Sequence, residues 1–107
     1  MALQVEKYFD EEKNSWVLKP KGEIDIYTSP KFKETLLNII EEEEKDIIID
    51  GESLEYIDST GLGVLISGLK KLKKTDKNIT IINLKPNINK LFDITGLNKV
   101  FIVEGCN

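Results

Sequence analysis

The sequence predicts an α/β domain with a mixed sheet of four to five strands and helices mostly on one face. Strand-like and helix-like segments alternate along most of the chain, which favours parallel strands joined by right-handed βαβ crossovers. The first two strand-like segments are instead separated by a short polar turn, which favours an antiparallel hairpin. Parallel crossovers combined with one hairpin make a mixed sheet.

The N-terminal part predicts this hairpin and then a helix. Apolar and polar residues alternate over residues 3–10, a polar turn follows at 11–14, and a short apolar run occupies 15–18. Ser29 and Pro30 predict a helix start, with proline at the first helical position. The helix has an apolar face that we expect to pack on the sheet, formed by Phe32, Leu36, Leu37 and Ile40.

The remaining elements alternate. The isoleucines of Asp46–Asp50 are bounded by charge, which is typical of a central strand buried on both faces. A second helix is predicted to start at Asp58 or Ser59 because apolar residues then recur at helical spacing, at Leu62, Leu65, Ile66, Leu69 and Leu72. The last third predicts a strand at 79–82, a helix at 88–95 that Gly96 ends, and a strand at 100–103.

The composition excludes several classes of function. A length of 107 residues predicts a single domain, residues 1–107. The chain has fifteen basic residues, all of them lysines, and nineteen acidic residues. It therefore has neither an excess of positive charge nor an arginine that could bind a phosphate through two hydrogen bonds, and direct nucleic-acid binding is not expected. No apolar run approaches the ~20 residues that cross a bilayer, and the N-terminus lacks the features of a signal peptide. We therefore expect a cytoplasmic protein that is not bound to a membrane.

Features of common catalytic sites are missing as well. Without histidine the chain has neither a Ser-His-Asp triad nor a histidine metal site. Gly61 and Gly63 do not form a dinucleotide fingerprint, because Ile66 stands at the third glycine position, and there is no phosphate loop. The lone Cys106 excludes an internal disulfide and a cysteine zinc site. The expectation is a protein without catalytic residues or a cofactor.

Three aspartates follow or precede predicted elements and allow two interpretations. Asp25, Asp50 and Asp58 could gather at strand ends and bind a cation. Acids at such positions are more often helix caps and turn formers, because their carboxylates bind nearby backbone N–H groups. We favour the second interpretation and predict no metal.

The start of the second helix is the candidate functional site. Asp58 or Ser59 can accept hydrogen bonds from the first helical turn, and Ile57 can pack on Leu62 across it. Such an end carries unpaired donors and partial positive charge, so a phosphate on Ser59 or Thr60 would be compatible with the helix. The simpler interpretation is that both hydroxyls only cap the helix.

Two segments resemble the landmarks of a known family. The run Asp58-Ser59-Thr60-Gly61-Leu62-Gly63-Val64-Leu65 closely resembles the phosphorylation motif of bacterial anti-sigma factor antagonists, the small single-domain members of the STAS family. Gly22-Glu23-Ile24-Asp25 resembles the second landmark of that family, between the second strand and the first helix. The resemblance covers essentially the whole chain and implies a STAS-like fold.

The resemblance also implies a mechanism of partner switching. In that family, an anti-sigma factor that is an ATP-dependent serine kinase phosphorylates the helix-initiating serine, here Ser59, and a serine phosphatase reverses it. The unphosphorylated antagonist binds the anti-sigma factor and frees the sigma factor. Thr60 departs from the family pattern, where a second serine is common. The residues implied to bind the partner are Gly22, Glu23, Asp25, Asp58, Ser59, Thr60, Gly61, Leu62 and Gly63.

Two other functions remain open. A STAS scaffold or regulatory subunit of a stress-sensing or transporter complex would use the same surface without the sigma circuit. A small nucleotide-binding or nucleotide-hydrolysing enzyme is the third possibility, but the chain lacks a histidine base, an arginine and a phosphate loop.

Overall fold

The computed structural model describes residues 3–105, which form six strands, three α-helices and one short 3₁₀ helix. In chain order they are β1 (Leu3–Asp10), β2 (Ser15–Ile24), α1 (Ser29–Glu42), β3 (Asp46–Asp50), β4 (Leu54–Ile57), α2 (Ser59–Lys73), β5 (Ile79–Ile82), α3 (Pro86–Thr95), the 3₁₀ helix (Leu97–Lys99) and β6 (Ile102–Glu104).

The strands form one mixed sheet, as predicted. Its order is β1-β2-β3-β5-β6, and β4 pairs with β2 off this path. The hairpin of β1 and β2 is antiparallel, whereas every other pairing is parallel. The described sheet has one strand more than the upper prediction, because β4 is a separate short strand that pairs with the end of β2.

Strand β2 continues to Ile24, well beyond the predicted residues 15–18, and contains Pro20. Gly22, Glu23 and Ile24 therefore lie within this strand and not, as expected, between it and the first helix. Its pairing with β3 ends at Leu18, and its pairing with β4 begins at Gly22. Pro20 lies in the interval between these two partners, where its missing N–H removes no bond from either parallel ladder. The change of partner explains how a strand inside the sheet accommodates proline.

The helices cover one face of the sheet, as predicted. Buried strand residues of that face, including Leu18, Ile49 and Ile81, belong to one core with buried residues of all three helices. Phe92 of α3 packs against Phe101 with ring centroids 6.0 Å apart. On the opposite face a row of paired residues crosses five strands, formed by Tyr8, Val17, Ile48, Thr80 and Ile102.

Some element ends differ from the prediction by one or two residues. Thr28 is the cap residue of α1 and Ser29 its first residue, so Pro30 is second rather than first. The last strand begins at Ile102 because the 3₁₀ helix occupies the preceding residues. Gly96 ends α3, as predicted, with a φ of 75° that a side chain would strain.

Helices α1 and α2 approach closely at Gly68. A Cβ atom there would lie 2.7 Å from Cδ2 of Leu36 and 3.4 Å from Cδ1 of Ile40. Leu36 is fully buried, and close-packed interiors leave little free space into which such a side chain can move. A glycine at this position therefore sets the distance between the two helices.

We predict that Gly68→Val lowers the free energy of unfolding by about 1–3 kcal/mol through overpacking. Gly63 provides a control in the same helix, because it is exposed and a Cβ there would meet nothing within 4 Å. Gly63→Ala should raise stability by up to ~1 kcal/mol through helix propensity. Urea unfolding measures both changes, and equal stabilities of Gly68→Val and the wild type would contradict this packing.

Candidate functional site

Asp58 caps helix α2. Its backbone is extended, with φ of −107° and ψ of −172°, and Ser59 is the first helical residue. The Oδ1 atom of Asp58 accepts hydrogen bonds from Thr60 N at 2.9 Å, Gly61 N at 3.2 Å and Thr60 Oγ1 at 2.5 Å. The carboxylate thus satisfies N–H groups that a helix start otherwise leaves unpaired.

These bonds lower the pKa of Asp58. The hydroxyl of Thr60 contributes most, opposed by partial burial, and the backbone N–H groups of Gly61, Thr60 and Ile26 lower the pKa further. Each donor stabilises the ionised carboxylate over its protonated form. Asp58 is therefore charged at neutral pH.

Asp58 also connects α2 to the end of β2. Its backbone N–H donates to Ile24 O at 3.1 Å, and Ile24 is the last residue of β2. Gly61 lies against the same strand ends, since a Cβ there would be 2.6 Å from Cγ1 of Ile57 and 2.7 Å from Cγ2 of Ile24. The two landmark segments consequently meet at one edge of the sheet.

The two hydroxyls at the helix start differ in environment. Ser59 is exposed, and its side chain has no hydrogen bond with any of residues 3–105. Thr60 is half-buried, and its hydroxyl donates to Asp58. The interpretation of both hydroxyls as caps therefore does not hold for Ser59, because Asp58 does the capping and Thr60 supports it.

The other predicted residues lie around this helix start. Gly22 has a φ of 118°, which favours glycine, and its N–H donates to Ser53 O at 3.1 Å. Glu23 is half-buried, and Gly63 is exposed on α2. Gly61 and Leu62 are buried, so they can shape the surface only from beneath.

Asp25 organises the loop between β2 and α1. Its Oδ1 accepts hydrogen bonds from Tyr27 N at 2.9 Å and Thr28 N at 3.0 Å. Asp50 similarly accepts the N–H of Glu52 at 3.0 Å. With Asp58 as a helix cap, the interpretation of these aspartates as caps and turn formers is confirmed. Within residues 3–105, no group of three or more histidine, cysteine, aspartate or glutamate residues is placed to hold a metal ion.

Sequence reasoning missed three exposed apolar residues beside these segments. Ile26, Tyr27 and Tyr56 are 62%, 88% and 48% exposed. Hydrophobic periodicity identifies core residues, so it gives no signal for apolar side chains in a turn that face solvent. The signal available in the sequence is that two large apolar residues stand between turn-forming residues, after Asp25 and before Thr28.

The predictions about membrane spans and about Cys106 concern parts of the chain away from this site. No helix among the described residues has the length and apolar character needed to span a bilayer. Cys106 lies outside the described residues.

The fold and site together define a small α/β domain with an exposed serine at an aspartate-capped helix start. The STAS domain family model matches residues 7–105, and the chain belongs to this family. The resemblance inferred from the two landmarks is thus confirmed, as is the STAS-like fold.

Individual relatives agree with this assignment. The chain is 40% identical over 87 residues to an anti-sigma-B factor antagonist of Staphylococcus epidermidis, covering 81% of each protein. It is 38% identical to the anti-sigma-B factor antagonist of Staphylococcus aureus over the same length and coverage. A Thermotoga maritima structure described as an anti-sigma factor antagonist superimposes with a TM-score of 0.84 at 19% identity, covering 94% of this chain and 85% of the other.

We predict that Asp58→Ala lowers the thermal midpoint at pH 7 by several degrees. Because folding lowers the pKa of Asp58 from its ordinary 3.8, the ionised carboxylate stabilises the fold above that pH. This stabilisation is lost as the pH falls through the lowered pKa. The difference between variant and wild type should therefore shrink on acidification below about pH 5.

Circular dichroism melts over a pH series measure this difference. Glu34→Ala is the control, because Glu34 is an exposed acid on α1. A difference for Asp58→Ala that stays constant from pH 7 to pH 3 would contradict the role of its charge.

Proposed function

We propose that this protein is an anti-sigma factor antagonist controlled by phosphorylation of Ser59. In its unphosphorylated form it binds an anti-sigma factor, which then releases its sigma factor. The observation that carries the proposal is an exposed serine at an aspartate-capped helix start, in a chain 40% identical to an anti-sigma-B factor antagonist.

The environments of the two hydroxyls support Ser59 as the site of modification. A kinase needs a hydroxyl that it can reach and deprotonate, and Ser59 is exposed and unbonded. Phosphorylation of Thr60 would instead remove the proton that its hydroxyl donates to Asp58. It would also place the negatively charged phosphate beside the carboxylate of Asp58, where the two like charges repel each other.

The added charge explains how the modification ends binding. A phosphate brings about −1.5 to −2 charge at pH 7, and a helix N-terminus tolerates negative charge. At a contact surface the same charge must be desolvated, which disfavours the complex. Phosphorylation is therefore expected to act on the partner's access and not on the fold.

The partner would contact what we call the switch surface, defined by residues 22–28 and 56–63. Gly63 supports this placement, because an exposed glycine within a helix costs about 1 kcal/mol relative to alanine. A bare backbone at Gly63 allows another chain to approach the first turns of α2 closely. The glycine thus favours access over stability.

The proposed partners are an anti-sigma factor that is a serine kinase and a serine phosphatase that restores the hydroxyl. The kinase binds ATP, transfers its γ-phosphoryl group to the serine oxygen and releases ADP, so this chain needs no cofactor or catalytic residue of its own. Such a circuit operates in the cytoplasm, without direct contact to nucleic acid or a membrane. A kinase-type anti-sigma factor and a sigma factor encoded nearby would favour this function over a scaffold in another STAS assembly.

We predict that the anti-sigma factor isolated with the unphosphorylated protein transfers the γ-phosphoryl group of ATP to Ser59. Ser59→Ala should abolish the label, because the accepting hydroxyl is absent. Ser67→Ala should be labelled normally, since Ser67 is an exposed serine of the same helix outside the switch surface. Mass spectrometry locates the phosphate, and full labelling of Ser59→Ala would refute the assignment.

We further predict that Ser59→Asp separates binding from folding. A negative charge at the first helical position should change stability by less than ~1 kcal/mol, a few degrees in the thermal midpoint. Affinity for the anti-sigma factor should fall at least tenfold, or ~1.4 kcal/mol. Calorimetric melts and titrations measure the two effects, with Ser67→Asp as the control. Intact binding, or unfolding severe enough to explain its loss, would be inconsistent with the mechanism.

A further inference from the structure

We propose that Ile26 and Tyr27 form an apolar anchor through which the anti-sigma factor holds the switch surface. The proposal rests on the proposed function and adds to it the residues that supply affinity. The partner is expected to present an apolar pocket beside the position where its active site meets Ser59.

The exposure of this pair is the first observation. Tyr27 is 88% exposed and Ile26 is 62% exposed, although both are large and largely apolar. Single exposed hydrophobic residues are common on protein surfaces, but these two are consecutive and lie on one short loop. Their side chains contribute little to the core, so the fold itself does not require them.

The loop that carries the pair is held by polar contacts. Besides the two bonds that Asp25 accepts from the loop backbone, Thr28 Oγ1 donates to Glu23 O at 2.8 Å and accepts from Asp25 N at 2.9 Å. Ser29 N donates to Asp25 O at 2.7 Å. The loop backbone is therefore ordered before any partner binds, which reduces the entropy lost on association. Tyrosine on such a preorganised support is a common interface hot spot.

Asp58 makes the pair continuous with the switch. Its backbone N–H donates to Ile24 O at 3.1 Å, directly before the loop, while its carboxylate accepts hydrogen bonds from Thr60 N and Gly61 N in the first turn of α2. One residue thus fixes the end of β2, from which the loop of Ile26 and Tyr27 leaves, beside the helix start that carries Ser59. A partner large enough to phosphorylate Ser59 would cover this loop as well.

An apolar anchor at this place also explains the sensitivity to phosphate. Apolar contacts gain free energy by excluding water, whereas a phosphate dianion within the same contact must keep its water or lose it at high cost. The modification of Ser59 would therefore prevent the closure on which the anchor depends. Neither residue needs to move for this to occur.

The test measures the affinity of the purified anti-sigma factor for variants of the anchor. Tyr27→Ala and Ile26→Ala should each weaken binding at least tenfold with unchanged thermal midpoints. Tyr27→Phe should bind like the wild type, since the ring and not the hydroxyl fills the pocket. Tyr8→Ala is the matched control and should bind like the wild type, because Tyr8 is 52% exposed but lies on the face of the sheet that the helices do not cover.

Kinetics of phosphorylation provide a second readout. Both alanine variants should raise the KM for the protein substrate and leave kcat near the wild-type value, because Ser59 is intact. Alanine variants that bind like the wild type would overturn the anchor while leaving the proposed function standing. If the wild type itself neither binds the anti-sigma factor nor is phosphorylated by it, the proposed function fails and the anchor fails with it.

Discussion

The capping carboxylate of Asp58 is the interaction on which the site depends. It accepts the N–H groups of Thr60 and Gly61 in the first turn of α2, and the backbone N–H of the same residue donates to Ile24 O at the end of β2. Because Asp58 occupies the cap, Ser59 becomes the first helical residue and points its hydroxyl at solvent without a structural role. One residue therefore joins the two segments and leaves the serine available.

The division between fold and function follows from this arrangement. Stability comes from one core between the sheet and the helices, where even Gly68 is fixed by the packing of Leu36. The proposed contact residues add little to that core: Ser59 is unbonded, Tyr27 faces solvent and Gly63 lowers helix propensity. A charge added at Ser59 can consequently alter recognition while the domain stays folded.

Much of this architecture was predictable, because local patterns determine it. The run of isoleucines bounded by charge identified the strand Asp46–Asp50, and Gly96 marked the end of α3. The length of β2 was missed since Pro20 argues against a strand unless the neighbouring strands are known. The site motif located the helix start, but only the three-dimensional arrangement distinguishes Asp58 as the cap from Ser59 as the free hydroxyl.

Amide chemical-shift mapping tests most directly whether the two segments joined by Asp58 act as one surface. The ¹⁵N-labelled protein would be titrated with its purified anti-sigma factor. We expect perturbations to appear together in residues 22–28 and 56–63 and to leave unchanged the row around Ile48, on the face of the sheet that the helices do not cover. Perturbations centred on that row, or confined to one of the two segments, would contradict it.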